Sequence, residues 1–266
     1  MAIKKSIRLG VLSGALGLAL IGGGTWAAFN DIEKANAVYS TGHLDLSAKE
    51  NSGSINLANL KPGDRIKKEF NFENKGSLAI NQVLMSLDYS EFKDGASAEN
   101  GGKNTAEEFL SQFQVSVLTV GAEGGNGYPK NIILDHANLL DLHQLTSKQD
   151  QAAFEKLRHA IDEKFLHESG KINVATVDGT TAPEYDGIPK NPFDYDKMEM
   201  IIEFVDDQTK DKAGQYIQNK YQGDAIQIDL SFEATQWNGL TINPKKHTDE
   251  KGYVKENEKA HSEDKK

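Results

Sequence analysis

The chain has 266 residues, a formal net charge of −10 and no cysteine. An acidic balance argues against nucleic acid as a partner, because phosphate recognition needs a cluster of Lys and Arg side chains. The absence of cysteine excludes disulfides and thiolate metal sites. Hydrophobic residues make up 38% of the sequence, which is enough to build a large core.

The first 27 residues have the three-part pattern of an export signal. A short basic region precedes an apolar stretch at 9–21, and glycines follow. Thr25 and Ala27 are small residues at the spacing that signal peptidases require, which predicts cleavage between Ala27 and Ala28. Residues 1–27 are therefore interpreted as a signal peptide.

An uncleaved membrane anchor is the alternative, because residues 9–27 have about the minimum length that crosses a bilayer. Three consecutive glycines at 22–24 are unfavourable at a helix end inside lipid, and this favours cleavage. At the other terminus, residues 243–266 form a charged tail with few apolar side chains to offset the entropy of ordering, so we predict a flexible segment. This tail has no hydrophobic anchor, and we expect a secreted protein.

Between these termini, apolar residues recur mainly at every second position, which is typical of half-buried strands. The clearest run alternates between apolar and polar residues from 226 to 234. Other such runs occupy 44–47, 66–73, 79–89, 115–120, 172–177 and 198–204. Pro62 and Gly63 predict a turn between two of these runs. Short alternating strands separated by turns and irregular loops predict a mainly β fold, an antiparallel β-sandwich over residues 43–242.

The β pattern is interrupted at about 136–166. Apolar residues recur there at helical spacing, namely Phe154, Leu157, Ile161 and Phe165. Ser147, with Asp150 three residues later, resembles the capping box that begins a helix. We therefore predict a helical insert that packs on the sandwich.

The segment 28–42, before the first clear strand, has several large apolar side chains but poor alternation. On its own this pattern is compatible with a strand, a short helix or a disordered arm.

Motifs for enzymatic chemistry are weak. The seven histidines include no His-Glu-x-x-His motif, and His159 and His167, eight residues apart and roughly on one predicted helix face, are better explained as solvated residues. The glycine-rich loop 121–127 lacks the Lys-Ser/Thr ending of a phosphate loop, and the acidic stretch 206–211 lacks the order of an EF-hand. We therefore predict no enzymatic activity, with no catalytic, cofactor-binding or metal-binding residue.

Several long stretches together resemble the TasA/camelysin family, which includes the major fibre proteins of bacterial biofilm matrix. These stretches are 22–32, 44–51, 60–64, 76–80, 124–135, 232–239 and 253–265. The resemblance implies a jelly-roll sandwich and cleavage before Ala28 by a dedicated signal peptidase. It also implies a homopolymeric extracellular fibre that grows by donor-strand exchange.

On this resemblance, residues 28–42 are the donor arm, and Phe29, Ile32 and Val38 are its expected apolar anchors. Expected partners are further copies of the chain, the signal peptidase and an accessory matrix protein that nucleates the fibre. The expected location is the extracellular matrix or the cell surface. The alternative function is a camelysin-like cell-surface metalloprotease. A third class, a soluble toxin or antimicrobial factor, has no cationic or amphipathic segment to support it.

Overall fold

The computed structural model describes residues 31–32, 44–49, 53–95, 103–121, 131–177, 186–189 and 194–237. The strands in these ranges are β1 Asp31–Ile32, β2 Leu46–Lys49, β3 Ser54–Ala58, β4 Arg65–Asn74, β5 Ile80–Lys93, β6 Phe113–Gly121, β7 Asn131–Asn138, β8 Ile172–Asn173, β9 Tyr195–Phe204 and β10 Ala225–Gln236. The helices are α1 Ala106–Leu110, α2 Leu139–Lys148 and α3 Gln151–Leu157, with 3₁₀ turns at Glu163–Phe165 and Ile217–Tyr221.

The strands form two antiparallel sheets, which confirms the predicted mainly β fold. One sheet has the order β1-β10-β5-β8, with β3 also paired to β10, and the other has the order β2-β4-β9-β6-β7. Phe232 of β10 contacts Phe70 and Phe72 of β4, with ring centroids 5.3 and 4.9 Å apart, so the sheets pack face to face here. Every second residue of β10 from Ile226 to Ala234 is buried, as its alternation predicts.

The strand directions give the sandwich two ends. At the turn end, β3 is followed by the predicted turn, in which the Asp64 N–H donates to the Lys61 carbonyl at 3.0 Å and Gly63 has φ +86°. The turn packs beside the end of β9, where the Gly63 N–H donates to the Phe204 carbonyl at 2.7 Å, and β10 begins at this end. At the opposite end, called the arm end, β4 and β10 finish and β2, β5 and β9 begin.

The predicted helical insert is present, but it begins later than position 136. Residues up to Asn138 belong to β7, and the Asn138 side chain caps α2 by accepting from the N–H groups of Leu140 and Asp141. The predicted capping box was wrong. Helix α2 continues through Ser147, and Asp150 itself caps α3, because its carboxylate accepts from the Ala152 N–H at 2.8 Å.

The helical spacing of 154–165 overstates the length of α3, which ends at Leu157. Beyond it the chain pairs with the edge of β7 instead. The Asp135 N–H donates to the Ala160 carbonyl at 2.9 Å, and the Asp162 N–H donates to the Ile133 carbonyl at 3.1 Å. The apolar residues predicted to face inward are still largely or fully buried, because the segment stays against the core.

The predicted signal peptide and charged tail lie outside the described residues, as does the arm apart from residues 31–32. Among the helices that the structure describes, none is long and apolar enough to cross a membrane.

Candidate assembly site

Strand β10 has two unlike edges. Along one edge it pairs with β5 over its whole length, from Ala225 to Gln236. Along the other edge β3 covers only the first part, from Ala225 to Asp229. The remaining stretch, Ser231–Gln236, is called the β10 edge below.

The β10 edge begins where Gly53 ends the contact with β3. The Gly53 carbonyl accepts from the Leu230 N–H at 2.6 Å, and a Cβ at Gly53 would lie 2.6 Å from the Leu230 carbonyl oxygen, so the two backbones touch. Backbone groups alternate along a strand, so Phe232 and Ala234 direct their N–H and C=O groups to the same edge as Leu230. These are the groups that another strand would pair with.

The N-terminal arm supplies that strand. β1 pairs with β10 in antiparallel register, with Asp31 opposite Ala234 and Ile32 opposite Glu233. The structure therefore brings residues 31–32 of the predicted donor segment to the β10 edge. Phe29 and Val38 lie outside the described residues, and Ile32 is described through its backbone pairing, so the anchor roles of all three stay predictions.

The floor beneath the β10 edge is apolar. Leu230 and Phe232 point into the sandwich but keep 8% and 6% of their surface exposed, whereas Ala234 is fully buried. Phe232 rests on the two Phe rings of β4 described above. On the opposite face, Glu233 pairs with Lys171, which lies just before β8. A strand laid on this edge thus meets backbone groups aligned for pairing, an apolar floor and a neutralised carboxylate.

A polar network on the outer face holds β3, β10 and β5 together. The Asp229 carboxylate accepts from the hydroxyls of Ser54 at 2.8 Å and Ser90 at 2.6 Å, and from the Gln227 side-chain amide at 2.8 Å. Burial opposes ionisation of Asp229, but the hydrogen bonds from Ser90, Ser54 and Gln227 outweigh it and hold its pKa below the usual value. This network fixes the position of β3, and through it the start of the β10 edge.

The far edge of the same sheet is covered in a different way. At Leu87 of β5, the N–H donates to the Thr146 hydroxyl at 3.0 Å, while the carbonyl accepts from the Ser147 hydroxyl at 2.6 Å and from His143 Nδ1 at 3.0 Å. These three side chains all come from α2. Helix α2 therefore takes the place of a strand at this position, called the β5 edge below.

Within the part of the chain that the structure describes, the histidines do not converge on a metal site. His143 is buried with its Nδ1 bonded to Leu87, His136 Nδ1 pairs with Asp135, and His167 Nδ1 bonds to the Ser169 hydroxyl. His159 and His167 do not share a helix face, because α3 ends before both of them. The prediction that these two histidines share a helix face was wrong.

The acidic stretch 206–211 makes local turns. Asp207 accepts from the Thr209 N–H at 2.9 Å, and Asp211 accepts from the N–H groups of Ala213 and Gln215 at 2.8 and 2.9 Å. Across the ranges that the structure describes, no group of three or more His, Asp or Glu side chains could hold a metal ion. The described residues thus do not fit a zinc-hydrolase centre.

Sequence reasoning missed Gly53, Asp229 and the α2 side chains that cover Leu87. Asp229 is an ordinary polar residue in its own segment, and the two serines that bond to it lie 139 and 175 positions away. The α2 side chains lie 56 or more positions from Leu87. Gly53 alone carried a local signal, because a glycine at a strand start indicates a close approach between backbones.

Comparison with known proteins identifies the family. The sequence profile of the camelysin metallo-endopeptidase family matches residues 2–241. A protein of Bacillus subtilis (strain 168) described as "Major biofilm matrix component" is 65% identical over 266 residues, and the similarity covers the whole of both chains. The chain therefore belongs to the camelysin family.

Proposed function

We propose that this chain is a secreted structural subunit of biofilm matrix fibres. In this proposal the chain is cleaved between Ala27 and Ala28, and the freed arm 28–42 adds a strand to the β10 edge of the next subunit. The observation that carries the proposal is the antiparallel pairing of β1 with β10. The matrix role is supported by the description of the Bacillus subtilis relative. A protein with this role lies outside the cell.

The physics of an unfinished sheet supports polymer growth. A strand edge presents unpaired N–H and C=O groups and is a template for another chain. An extended segment satisfies these groups with main-chain hydrogen bonds, and its side chains add specificity. Within one chain β1 occupies the β10 edge, and in the fibre the arm of a neighbour takes the same place. Such a contact joins two different surfaces, so it repeats as a filament and does not close into a dimer.

Three parts of the proposal concern partners and anchors. Phe29, Ile32 and Val38 are proposed to give the arm its apolar contacts. A dedicated signal peptidase is proposed to release Ala28 as the new N-terminus. An accessory matrix protein is proposed to nucleate the fibre.

Electron microscopy of two purified chains tests the proposal. We expect residues 28–266 to form filaments and residues 42–266 to remain monomeric, because only the first chain carries the arm. A synthetic arm peptide, residues 28–39, should bind to the 42–266 chain. Equal polymerisation of the two chains would show that the arm is dispensable and would end the donor-strand proposal.

The second candidate function is metal-dependent proteolysis, which the name of the matching family favours. Cleavage of casein that a chelator abolishes, and that replacement of His159 or His167 also abolishes, would support it. Fibre formation by a chain that cleaves no casein with or without added Zn²⁺ would leave the structural role as the better account.

A further inference from the structure

The antiparallel register fixes the direction in which the arm runs. β10 runs from the turn end to the arm end, so a strand antiparallel to it runs from the arm end towards the turn end. At Ile32 the strand therefore points towards the turn end. If the arm belongs to a neighbour, the body of that neighbour is attached on this side.

The length of the connecting segment agrees with this placement. Residues 33–43 lie between Ile32 and Leu44, and twelve Cα steps span at most about 40 Å. Measured along β10, Ala225 at the turn end lies eight positions, or about 26 Å, from Glu233. The segment is therefore long enough to reach the turn end of one subunit and still enter the next. Leu44 precedes β2, which begins at its own arm end, where Leu46 pairs with Asn74.

We propose that the arm end of each donor subunit packs on the turn end of its acceptor, and that Tyr216 and Ile217 are the centre of this second contact. The proposal rests on the proposed function, because it assumes that the arm on the β10 edge comes from another copy. The partner that binds the turn end is a second copy of this chain.

The turn end carries the surface that such a contact needs. Among the described residues, the exposed large hydrophobic side chains are Ile132, Tyr216 and Ile217, so two of the three lie here, side by side. Tyr216 is 43% and Ile217 39% exposed. Tyr216 borders a surface cavity of about 310 Å³ that is also lined by Pro62, Phe204 and Asp207. An apolar centre with polar residues around it is the usual composition of a protein interface.

Tyr216 and Ile217 are also held in place. The backbones of Lys210 and Tyr216 pair in an antiparallel β-bridge, and the Lys210 Nζ lies 4.5 Å from the centre of the Tyr ring. The Ile217 N–H donates to the Thr209 carbonyl at 3.0 Å. Within this hairpin the Asp211 N–H donates to the Gln215 carbonyl at 2.8 Å. A rigid apolar pair loses little entropy on binding, which favours its use as an anchor.

The arm alone is too small to hold two subunits firmly. The β10 edge offers six positions, from Ser231 to Gln236, whereas a stable interface engages about 20–30 residues on each side. A contact between the two bodies supplies the remainder. The turn end is the surface that the direction and reach of the arm bring next to the donor.

Substitution of the apolar pair tests the contact. We expect Ile217→Lys in the 28–266 chain to slow filament elongation at least about ten-fold, because a central anchor is lost and a charge is added. The matched control is Ile132→Lys, which alters the third exposed residue, on β7, and should elongate as the unaltered chain does. Binding of the arm peptide to a 42–266 chain carrying Ile217→Lys should be unchanged, because the β10 edge is intact.

Cysteine crosslinking tests the geometry, since the chain has no cysteine of its own. Fibres grown from a mixture of Ile217→Cys and Ser77→Cys chains should give disulfide-linked dimers, because Ser77 lies in the bend between β4 and β5 at the arm end. Mixtures of Arg158→Cys, which follows α3, with Ser77→Cys should give none. Normal elongation of Ile217→Lys without Ile217–Ser77 crosslinks would overturn the inference while leaving the arm mechanism standing. Failure of the arm-deletion test would instead remove the proposed function itself.

Discussion

The two edges of the β1-β10-β5-β8 sheet are finished in opposite ways. At the β5 edge, three side chains from α2 bond to the backbone of Leu87, and β8 pairs with Leu84 and Met85. These groups are part of the folded body. At the β10 edge, the covering strand is β1, which lies on a separate segment that precedes the body.

In the proposed function, this difference gives one sheet a closed edge and an edge that can exchange its strand. An edge covered by helix side chains is closed whenever the domain is folded, because its partners cannot leave without unfolding the insert. An edge covered by a strand on a leading segment can exchange that strand for an identical one. We therefore expect strand exchange at the β10 edge, and we expect α2 to prevent it at the β5 edge.

The largest expected effect comes from the floor of the β10 edge. Replacing Phe232 with Ala should lower the free energy of unfolding by about 3–5 kcal/mol, because it opens a cavity against Phe70 and Phe72. It should also weaken binding of the arm peptide. Leu142→Ala, at a buried position of α2, should lower stability by about 2–5 kcal/mol without changing peptide affinity. Denaturant unfolding and peptide titration separate the two results, and equal loss of peptide affinity in both variants would erase the distinction between the edges.

The covered edge should respond in stability alone. Thr146→Val removes the hydroxyl that accepts from the Leu87 N–H and leaves that group buried without a partner, which should cost about 1–3 kcal/mol. Filament growth well below the unfolding temperature should be unchanged, as measured by light scattering. Growth that falls in proportion to the loss of stability would mean that the β5 edge also takes part in assembly.

Gly53 sharpens the boundary of the β10 edge. Gly53→Ala places a Cβ against the Leu230 carbonyl, and the backbones must separate at a cost of about 1–3 kcal/mol. We expect faster hydrogen exchange at Leu230, because its bond to the Gly53 carbonyl weakens. Gly63→Ala serves as a comparison in which backbone conformation is strained but no atom is contacted. An unchanged exchange rate at Leu230 would show that Gly53 does not set the boundary.

The smallest expected effect concerns pH. The folded-state pKa of Asp229 is lowered, so its contribution to stability is present above the unfolded pKa, near about 3.9, and is lost as pH falls through the folded value. Asp229→Asn should therefore cost about 1 kcal/mol at neutral pH and less as the solution is acidified. Unfolding curves of both chains across this range should converge at low pH. Parallel curves would mean that ionised Asp229 does not tie β3 to β10.

Local patterns predicted much of the fold and little of the site. β10 was predicted because strict alternation survives in a strand with one buried face. β7 was missed because a bulge interrupts it: Ile133 and Leu134 are both buried, and Asp135 and His136 are both exposed, with His136 at φ +50°. The site depends on pairs distant in sequence, such as Gly53 with Leu230, which no local period encodes. The arm has poor alternation, so only the family resemblance predicted a donor role for it.

The most direct measurement asks whose arm lies on the β10 edge in the fibre. Ile32 and Glu233 are opposite each other in the register, so cysteines at these positions are placed for a disulfide. Fibres grown from a mixture of Ile32→Cys and Glu233→Cys chains should yield disulfide-linked dimers, because each arm enters a neighbour. The contrary result is that the mixed chains never link, while one chain carrying both substitutions links only to itself. It would show that every arm pairs with β10 of its own chain, and it would contradict the account.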